Sequence, residues 1–362
     1  MKLRVLVAGG IYDKPAEYRA AHRITPETNL AAGLAEEGFH VTVQGLSEPL
    51  RAERFDLVHV HHFGRAAVCA LTRPRGCRFV FTSHDGFLFG DAGRDRRRGT
   101  LHSMVLRGAD GLVALSVRER WLLTSQYRVR DERVDVIPNG IPELFDAPPR
   151  EPETAPRQNK DLLFVGQLQR FKGLDYLFEA MPKVRAGHPG VRLRLCYQSD
   201  GMLDFYRRRA AEIGIADCVL FEGPRSPEQL AELYRSCAVF VHPSLFECLS
   251  TVISEAMLSA ACVIATDVGG VREQLDSECG VIVPPRDSEA LTAAICGALG
   301  SPARRALLGA AARIKARQRF TIPTMIRRHV HLYERVLNAQ PVARPLFSSL
   351  LADGMNVCLK FL

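Results

Sequence analysis

The chain has 362 residues, 47% of them apolar and 24% charged, the composition of a globular protein too long for one ordinary domain. Its net charge of +8 is spread evenly, 22 basic against 18 acidic residues up to position 150 and 26 against 22 beyond it, which speaks against a nucleic-acid partner. The longest uncharged apolar stretch, Ala256 to Thr266, falls short of the ~20 residues a membrane-crossing helix needs, and ten dispersed cysteines without a Cys-x-x-Cys pair indicate buried thiols rather than zinc or disulfides.

In chain order, Leu3 to Ala8 is a near-continuous apolar run ending in Gly9-Gly10, the form of a strand buried on both faces rather than of a secretory leader. The expected location is therefore the cytoplasm. Pro26 to Glu37 reads as a helix with Thr25 at its N-cap, Pro26 at its first position and Gly38 closing it. Short strands follow at His40–Val43, Leu57–His61, Phe79–Thr82, Gly111–Leu115 and Val134–Ile137, with helical segments between several of them. This alternation predicts a parallel sheet covered by helices. Alternation also puts His59 and His61 on one face of a strand and His62 on the other, which disfavours a metal cluster. The basic cluster Arg94, Arg96, Arg97 and Arg98 reads first as a solvated face, with anionic lipid or an anionic acceptor as the alternative.

From Asp146 to Lys160 the pattern stops in a proline-rich stretch without core residues, the expected linker. The alternation restarts with strands at Leu162–Val165, Val191–Cys196, Val219–Phe221, Ala238–Val241, Cys262–Ala265 and Val281–Val283 and helices between them. Beyond Pro302 the chain reads as helix to about Asn338, broken at Pro323. The expected division is a first domain at 1–147, a linker at 148–160, a second domain at 161–320, a helix at 321–340 that could pack back on the first domain, and a tail at 341–362.

Two stretches carry the chemistry. Val165 to Gly173 joins a strand to a helix: Gly166 permits close backbone approach, while Arg170 and Lys172 bring positive charge suited to a diphosphate. It is neither a Walker loop nor a Gly-x-Gly-x-x-Gly fingerprint. Between Val239 and Thr266, Glu247 lies in a loop, Ser250 and Thr251 open a helix whose first N–H groups would be free, and Glu255 sits one and a half turns further on. Such a site suits a ligand with both hydroxyls and phosphate.

Taken together, Val-Gly-Gln-Leu…Lys-Gly at 165–173, His-Pro-Ser…Glu-x7-Glu-Ala-Met at 242–257, Thr-Asp-Val-Gly-Gly at 266–270 and Val-Ile-Pro-Asn-Gly-Ile at 136–141 resemble the retaining glycosyltransferases of family 4. The resemblance implies an α/β fold of the GT-B kind, two Rossmann-like doubly wound domains facing across a cleft. It also implies transfer of a sugar from a nucleotide diphosphate sugar, UDP- or GDP-linked, to a hydroxyl of a glycan, lipid-linked or small-molecule acceptor. Carried onto this chain, Lys172 would meet the diphosphate and Glu255 the ribose, while Glu247 with Cys248, Leu249, Ser250 and Thr251 would meet the sugar and phosphates. His84 would reach the sugar near its reacting carbon, and Gly9-Gly10 would form a loop near donor phosphate and acceptor. His84, Lys172 and Glu247 are thus the expected catalytic residues, with Gly166, Gln167 and Arg170 completing the donor set.

No Asp-x-Asp pair occurs, so no metal and no cofactor are expected, the nucleotide sugar being a co-substrate. Gln167 stands where the family often has Arg, Cys248 where Gly commonly follows the glutamate, and Gly9-Gly10 directly follows the first strand rather than preceding the first helix. Gln167 and Cys248 leave open a catalytically lapsed binding subunit, the place of Gly9-Gly10 implies a difference in acceptor handling, and the shared architecture leaves open another enzyme such as a sugar-nucleotide epimerase or phosphorylase. Peripheral contact with the inner membrane face rests on the Arg94 to Arg98 cluster alone.

Overall fold

A computed structural model of the chain describes residues 2–48, 50, 52–84, 96–146, 160–199 and 201–342. The linker at 148–159, Arg94 and the tail from 343 lie outside the described residues, and of Arg96, Arg97 and Arg98 only the backbone is described, at the start of the helix Arg96–Gly108.

The chain divides into two units, one of Met1–Gly140 with Ile322–Leu362 and one of Ile141–Thr321. The first domain was expected to run to 147. Instead Ile141 forms a bridge to Thr321 and the Phe145 ring is buried in the second unit's core, so local burial moves 141–146 into that unit.

The first unit holds six strands, β1 Arg4–Ala8, β2 His40–Gln44, β3 Leu57–His61, β4 Arg78–Thr82, β5 Gly111–Ala114 and β6 Val134–Val136. They pair all-parallel in the order β2-β1-β3-β4-β5-β6. The helix Pro26–Glu36 begins as its sequence dictates, with a Thr25–Thr28 capping box and Pro26 in the first turn. Gly38 beyond its end takes φ +88°, the left-handed conformation that closes helices. One face of the sheet is covered by that helix together with the last one, Ile322–Asn338, whose Met325, Ile326, Leu332, Tyr333 and Val336 join Val5, Val7, Leu30 and Leu34 in one core. The chain beyond Pro302 forms two helices as expected, Pro302–Arg319 and Ile322–Asn338, and Pro323 marks the start of the second. It lies in the first turn of that helix, where a missing N–H costs nothing.

The second unit holds β7 Leu162–Val165, β8 Leu193–Cys196, β9 Val219–Gly223, β10 Val239–His242, β11 Val263–Thr266 and β12 Val281–Val283, all parallel in the order β12-β11-β10-β7-β8-β9. Its two cores lie one on each face. Phe164, Phe178 and Tyr206 anchor one, and Phe240, Tyr234 and Met257 the other. Strands covered on both faces explain the near-continuous apolar runs read in the sequence.

Each sheet has a point where successive connections run in opposite directions, between β1 and β3 in the first and between β7 and β10 in the second. In open parallel sheets, ligands enter the crevice outside the carboxyl ends of strands at such a point. Here those ends lead into Gly9-Gly10 and His61-His62 in one unit, and Gly166-Gln167 and His242-Pro243 in the other.

Candidate active site

In the second unit the loops after β7 and β10 are locked onto each other. Leu245 N–H donates to the Phe171 carbonyl at 2.7 Å, and the Ser244 hydroxyl reaches the same oxygen at 3.2 Å. Gly173 has φ +69°, and a Cβ there would stand 1.9 Å from the Pro243 carbonyl oxygen. The first glycine of the Thr266 to Gly270 motif works alike. A Cβ on Gly269, φ +53°, would stand 1.7 Å from the Glu247 carbonyl oxygen, and Gly270 N–H donates to the Cys248 carbonyl at 2.9 Å. The glycines are therefore demanded by backbone pressed against the loop that carries Glu247.

That packing holds a compact charged cluster. Lys172 Nζ donates to Glu247 Oε1 at 2.6 Å, and His242 Nε2 meets the same oxygen at 2.8 Å and Ser250 Oγ at 3.2 Å. Burial pushes the Glu247 carboxyl up, but His242 and Lys172 outweigh burial and hold it at about 2. His242 is fully enclosed, and its Nδ1 has no partner among the described residues. The helix Thr251–Leu258 starts at this cluster, and Ser250 at its N-cap makes no side-chain cap bond. The Ser250 N–H is not free as expected, since Gln274 Oε1 takes it at 3.2 Å. The Gln274 amide in turn donates to the Ser250 carbonyl and Ser254 Oγ, each at 2.7 Å.

Glu255, on the same helix, is half-buried rather than solvated. Burial raises its carboxyl to about 7, opposed by the Tyr234 hydroxyl, which donates to Oε2 at 3.0 Å. Gly166 donates its N–H to the Cys196 carbonyl at 3.0 Å and turns the chain out of β7, while Gln167 is exposed. The Arg170 guanidinium lies 4.9 Å over the Phe205 ring, a cation–π contact that gives it a partner outside the Lys172–Glu247 cluster. Cys248 and Leu249 are half-buried in the loop and Thr251 begins the helix.

The first unit carries a different constellation. His84 follows β4 with φ +48° and His62 follows β3 with φ +69°, two non-glycine residues in the left-handed region, each at a cost on the order of 1–2 kcal/mol. His84 Nε2 and His61 Nδ1 are 2.8 Å apart, and their rings are stacked with centroids at 5.0 Å. His59 bonds Tyr333 through Nδ1 and Thr82 through Nε2, both at 2.7 Å. Burial lowers the pKa of His59, His61 and His84 well below the ordinary imidazole value, and that of His329 to about 4. All four are neutral at neutral pH. Among the described residues no group of His, Cys, Asp and Glu has the arrangement to hold a metal ion. Gly9 leads from β1 into the turn Gly10–Asp13, and a Cβ on it would meet the buried Glu27 side chain at 2.6 Å.

Tyr234 and Gln274 were missed by the sequence reading, and His242 was read only as the start of the 242–257 motif. His242 follows three apolar strand residues, and Tyr234 lies on an amphipathic helix as a core aromatic would. His242 does have a signal in retrospect, a polar group at the carboxyl end of a strand at a switch point.

Residues 43–143 match the family described as Glycosyltransferase Family 4 and residues 159–301 the one described as Glycosyl transferases group 1. The chain belongs to this family. A D-inositol 3-phosphate glycosyltransferase of Geodermatophilus obscurus is 34% identical over 78% of this chain and 65% of its own length. One of Frankia alni is 31% identical over 74% of this chain and 72% of its own. The chain thus spans about two thirds of the length of these relatives. Among solved structures, a sucrose-phosphate synthase of Thermosynechococcus elongatus superposes with a TM-score of 0.77 at 22% identity, covering 92% of this chain and 99% of that one. Anabaena HepE in complex with UDP gives 0.73 at 20% identity, covering 92% and 100%. The fold is GT-B.

Proposed function

We propose that the chain transfers a sugar, with retention, from a UDP- or GDP-sugar to an acceptor hydroxyl. The observation that carries this reading is the enclosed Lys172–Glu247–His242 cluster at the β7/β10 switch point. A lysine ammonium has three N–H donors, so Lys172 can keep Glu247 and still meet a diphosphate oxygen, where negative charge grows as the leaving group departs. The start of the helix Thr251–Leu258 adds an anion-attracting end. Glu255, when ionised, accepts from both hydroxyls of a ribose, and His84 is assigned the contact to the sugar.

In the reaction the bond from the sugar's anomeric carbon to the diphosphate oxygen breaks through an oxocarbenium-like centre. The acceptor oxygen adds from the same face, and its proton passes to the departing phosphate oxygen. No side chain needs to act as a covalent nucleophile, and no metal is invoked. That HepE was solved with UDP and with UDP-glucose supports trying UDP-sugars first. The relatives' name supports a phosphorylated cyclitol as the first acceptor to test.

The test is a thermal-shift panel of UDP-, GDP- and ADP-sugars on the full chain, followed by product analysis with the donor that binds. A donor at 100 times its Kd should stabilise by about 2.7 kcal/mol. No shift with any donor, in folded protein, would overturn the reading, as would wild-type rates in both Lys172→Ala and Glu255→Ala.

A further inference from the structure

The geometry points to His61 as a positioning residue that fixes the tautomer of His84, so that His84 presents an N–H donor, not a lone pair, from its outward nitrogen Nδ1. The inference rests on the transfer reading for its purpose but not for its chemistry. His61 and His84 share one hydrogen bond, Nδ1 to Nε2 at 2.8 Å. With both rings neutral, each carries one proton, and exactly one proton lies between them. Two arrangements satisfy this. If His84 Nε2–H donates, His61 must carry its own proton on Nε2, a nitrogen that is buried and has no partner among the described residues. If His61 Nδ1–H donates, that enclosed nitrogen is only a lone pair.

Buried N–H groups without an acceptor are rarer in proteins than acceptors without a donor, and each stranded donor costs about 1–3 kcal/mol. The second arrangement therefore holds, and it leaves His84 with its proton on Nδ1. Among the described residues no protein group bonds that nitrogen, and His84 is half-buried while His61 is enclosed. The neighbours add to the constraint. The His59 ring lies 4.4 Å from that of His61, and His62 lies 4.9 Å from His84, so a second proton on either ring would sit among imidazoles, with no carboxylate among the described residues bonded to the pair. His59 is itself held by Tyr333 and Thr82, which fixes the ring that lies tilted at 30° against His61. His84 makes this bond from a left-handed backbone. His84 thus serves the reaction as a neutral donor to an oxygen of the bound sugar or the departing phosphate and does not take the acceptor's proton.

Long-range proton–nitrogen correlation spectra of the full chain labelled with 15N-histidine read this directly, His84 being identified by the signal lost in His84→Asn. The expected wild-type spectrum shows a protonated Nδ1 and a bare Nε2 on His84. In His61→Leu the preference should disappear, and in His61→Asn, whose amide N–H falls where Nδ1–H was, it should return. A wild-type His84 protonated on Nε2, or an unchanged tautomer in folded His61→Leu, would overturn the proposal. Should the leucine variant not fold, the wild-type and asparagine spectra decide. With a donor that turns over, His61→Leu should lower kcat on the order of 10- to 100-fold with KM for the nucleotide sugar within about twofold, and His61→Asn should recover most of it. The spectra need no substrate, so an inactive wild type would tell against sugar transfer and not against the tautomer.

Discussion

The two units share one construction, six parallel strands with a reversal of connection, yet they fill the carboxyl ends of their strands with opposite chemistry. The second unit gathers a lysine, two glutamates and a histidine, with Glu247 held ionised at about 2 and Glu255 poised at about 7. The first gathers imidazoles that burial keeps uncharged. The sheet supplies position, and the residues after each strand decide whether that position is a field for an anion or a row of neutral hydrogen-bonding groups.

The difference can be broken most strongly at the glycines. Gly269→Ala or Gly173→Ala drives a Cβ into fixed backbone at a left-handed position, and each should cost about 4 kcal/mol. Gly9→Ala meets side-chain rather than backbone atoms, Cγ and Cβ of the buried Glu27 at 2.6 and 3.0 Å, and should cost less, about 2 kcal/mol. Urea midpoints at constant slope report this, and equal losses at the three sites would refute the contrast. Next, Lys172→Ala should lower kcat/KM by about 3 kcal/mol, more than a hundredfold. A loss under tenfold would remove Lys172 from the reaction.

Acid should separate the units. A histidine whose folded pKa is depressed adds stability that is present above its unfolded value and is lost as pH falls, so the first unit weakens below 6.5. Glu247, also depressed, protects the second unit until pH falls below 4.5, and its contribution of about 3 kcal/mol is gone near pH 2. Hydrogen exchange at pH 7 and pH 5.5, corrected for intrinsic rates, should show β3 and β4 losing protection while β7 and β10 keep theirs. The reverse order would contradict the assignment. The smallest effect is expected at Tyr234→Phe, about 1 kcal/mol in stability. Without the hydroxyl, Glu255 titrates above its present value of about 7. Donor affinity, which should rise from pH 6 to 8 in the wild type, should then need higher pH, and calorimetry showing one pH curve for both proteins would remove Glu255 from the donor site.

Most of the architecture was legible because strands buried on both faces leave unbroken apolar runs, and because Thr25, Pro26 and Gly38 mark a helix by their own local chemistry. The unit boundary at Gly140 was not. It depends on Ile141 meeting Thr321 and on Gly140 lying so near Ile322 that a Cβ would be 2.6 Å from its Cα, contacts between residues about 180 apart in sequence. Lys172, Glu247 and Glu255 were legible as motif residues, whereas the partners that set their charge states were not. His242 and Tyr234 follow the apolar pattern of their elements, and only the folded chain shows which polar atom each one points at. In the same way His59, His61 and His84 were visible as separate residues, while the bond between the last two exists only because β3 and β4 pair in register, His61 opposite Thr82.

The interlock of the loops after β7 and β10 has a consequence for how this site fails. With Gly173 seated on Pro243, and Gly269 on Glu247, neither loop can open without displacing the other, so segments 166–173 and 243–250 should resist a protease as well as the strands beside them do. Cleavage there would follow only the unfolding of the whole unit. A nick in either loop of the native chain would mark a damaged molecule, and resistance to it offers a measure of site integrity that requires no knowledge of the substrate.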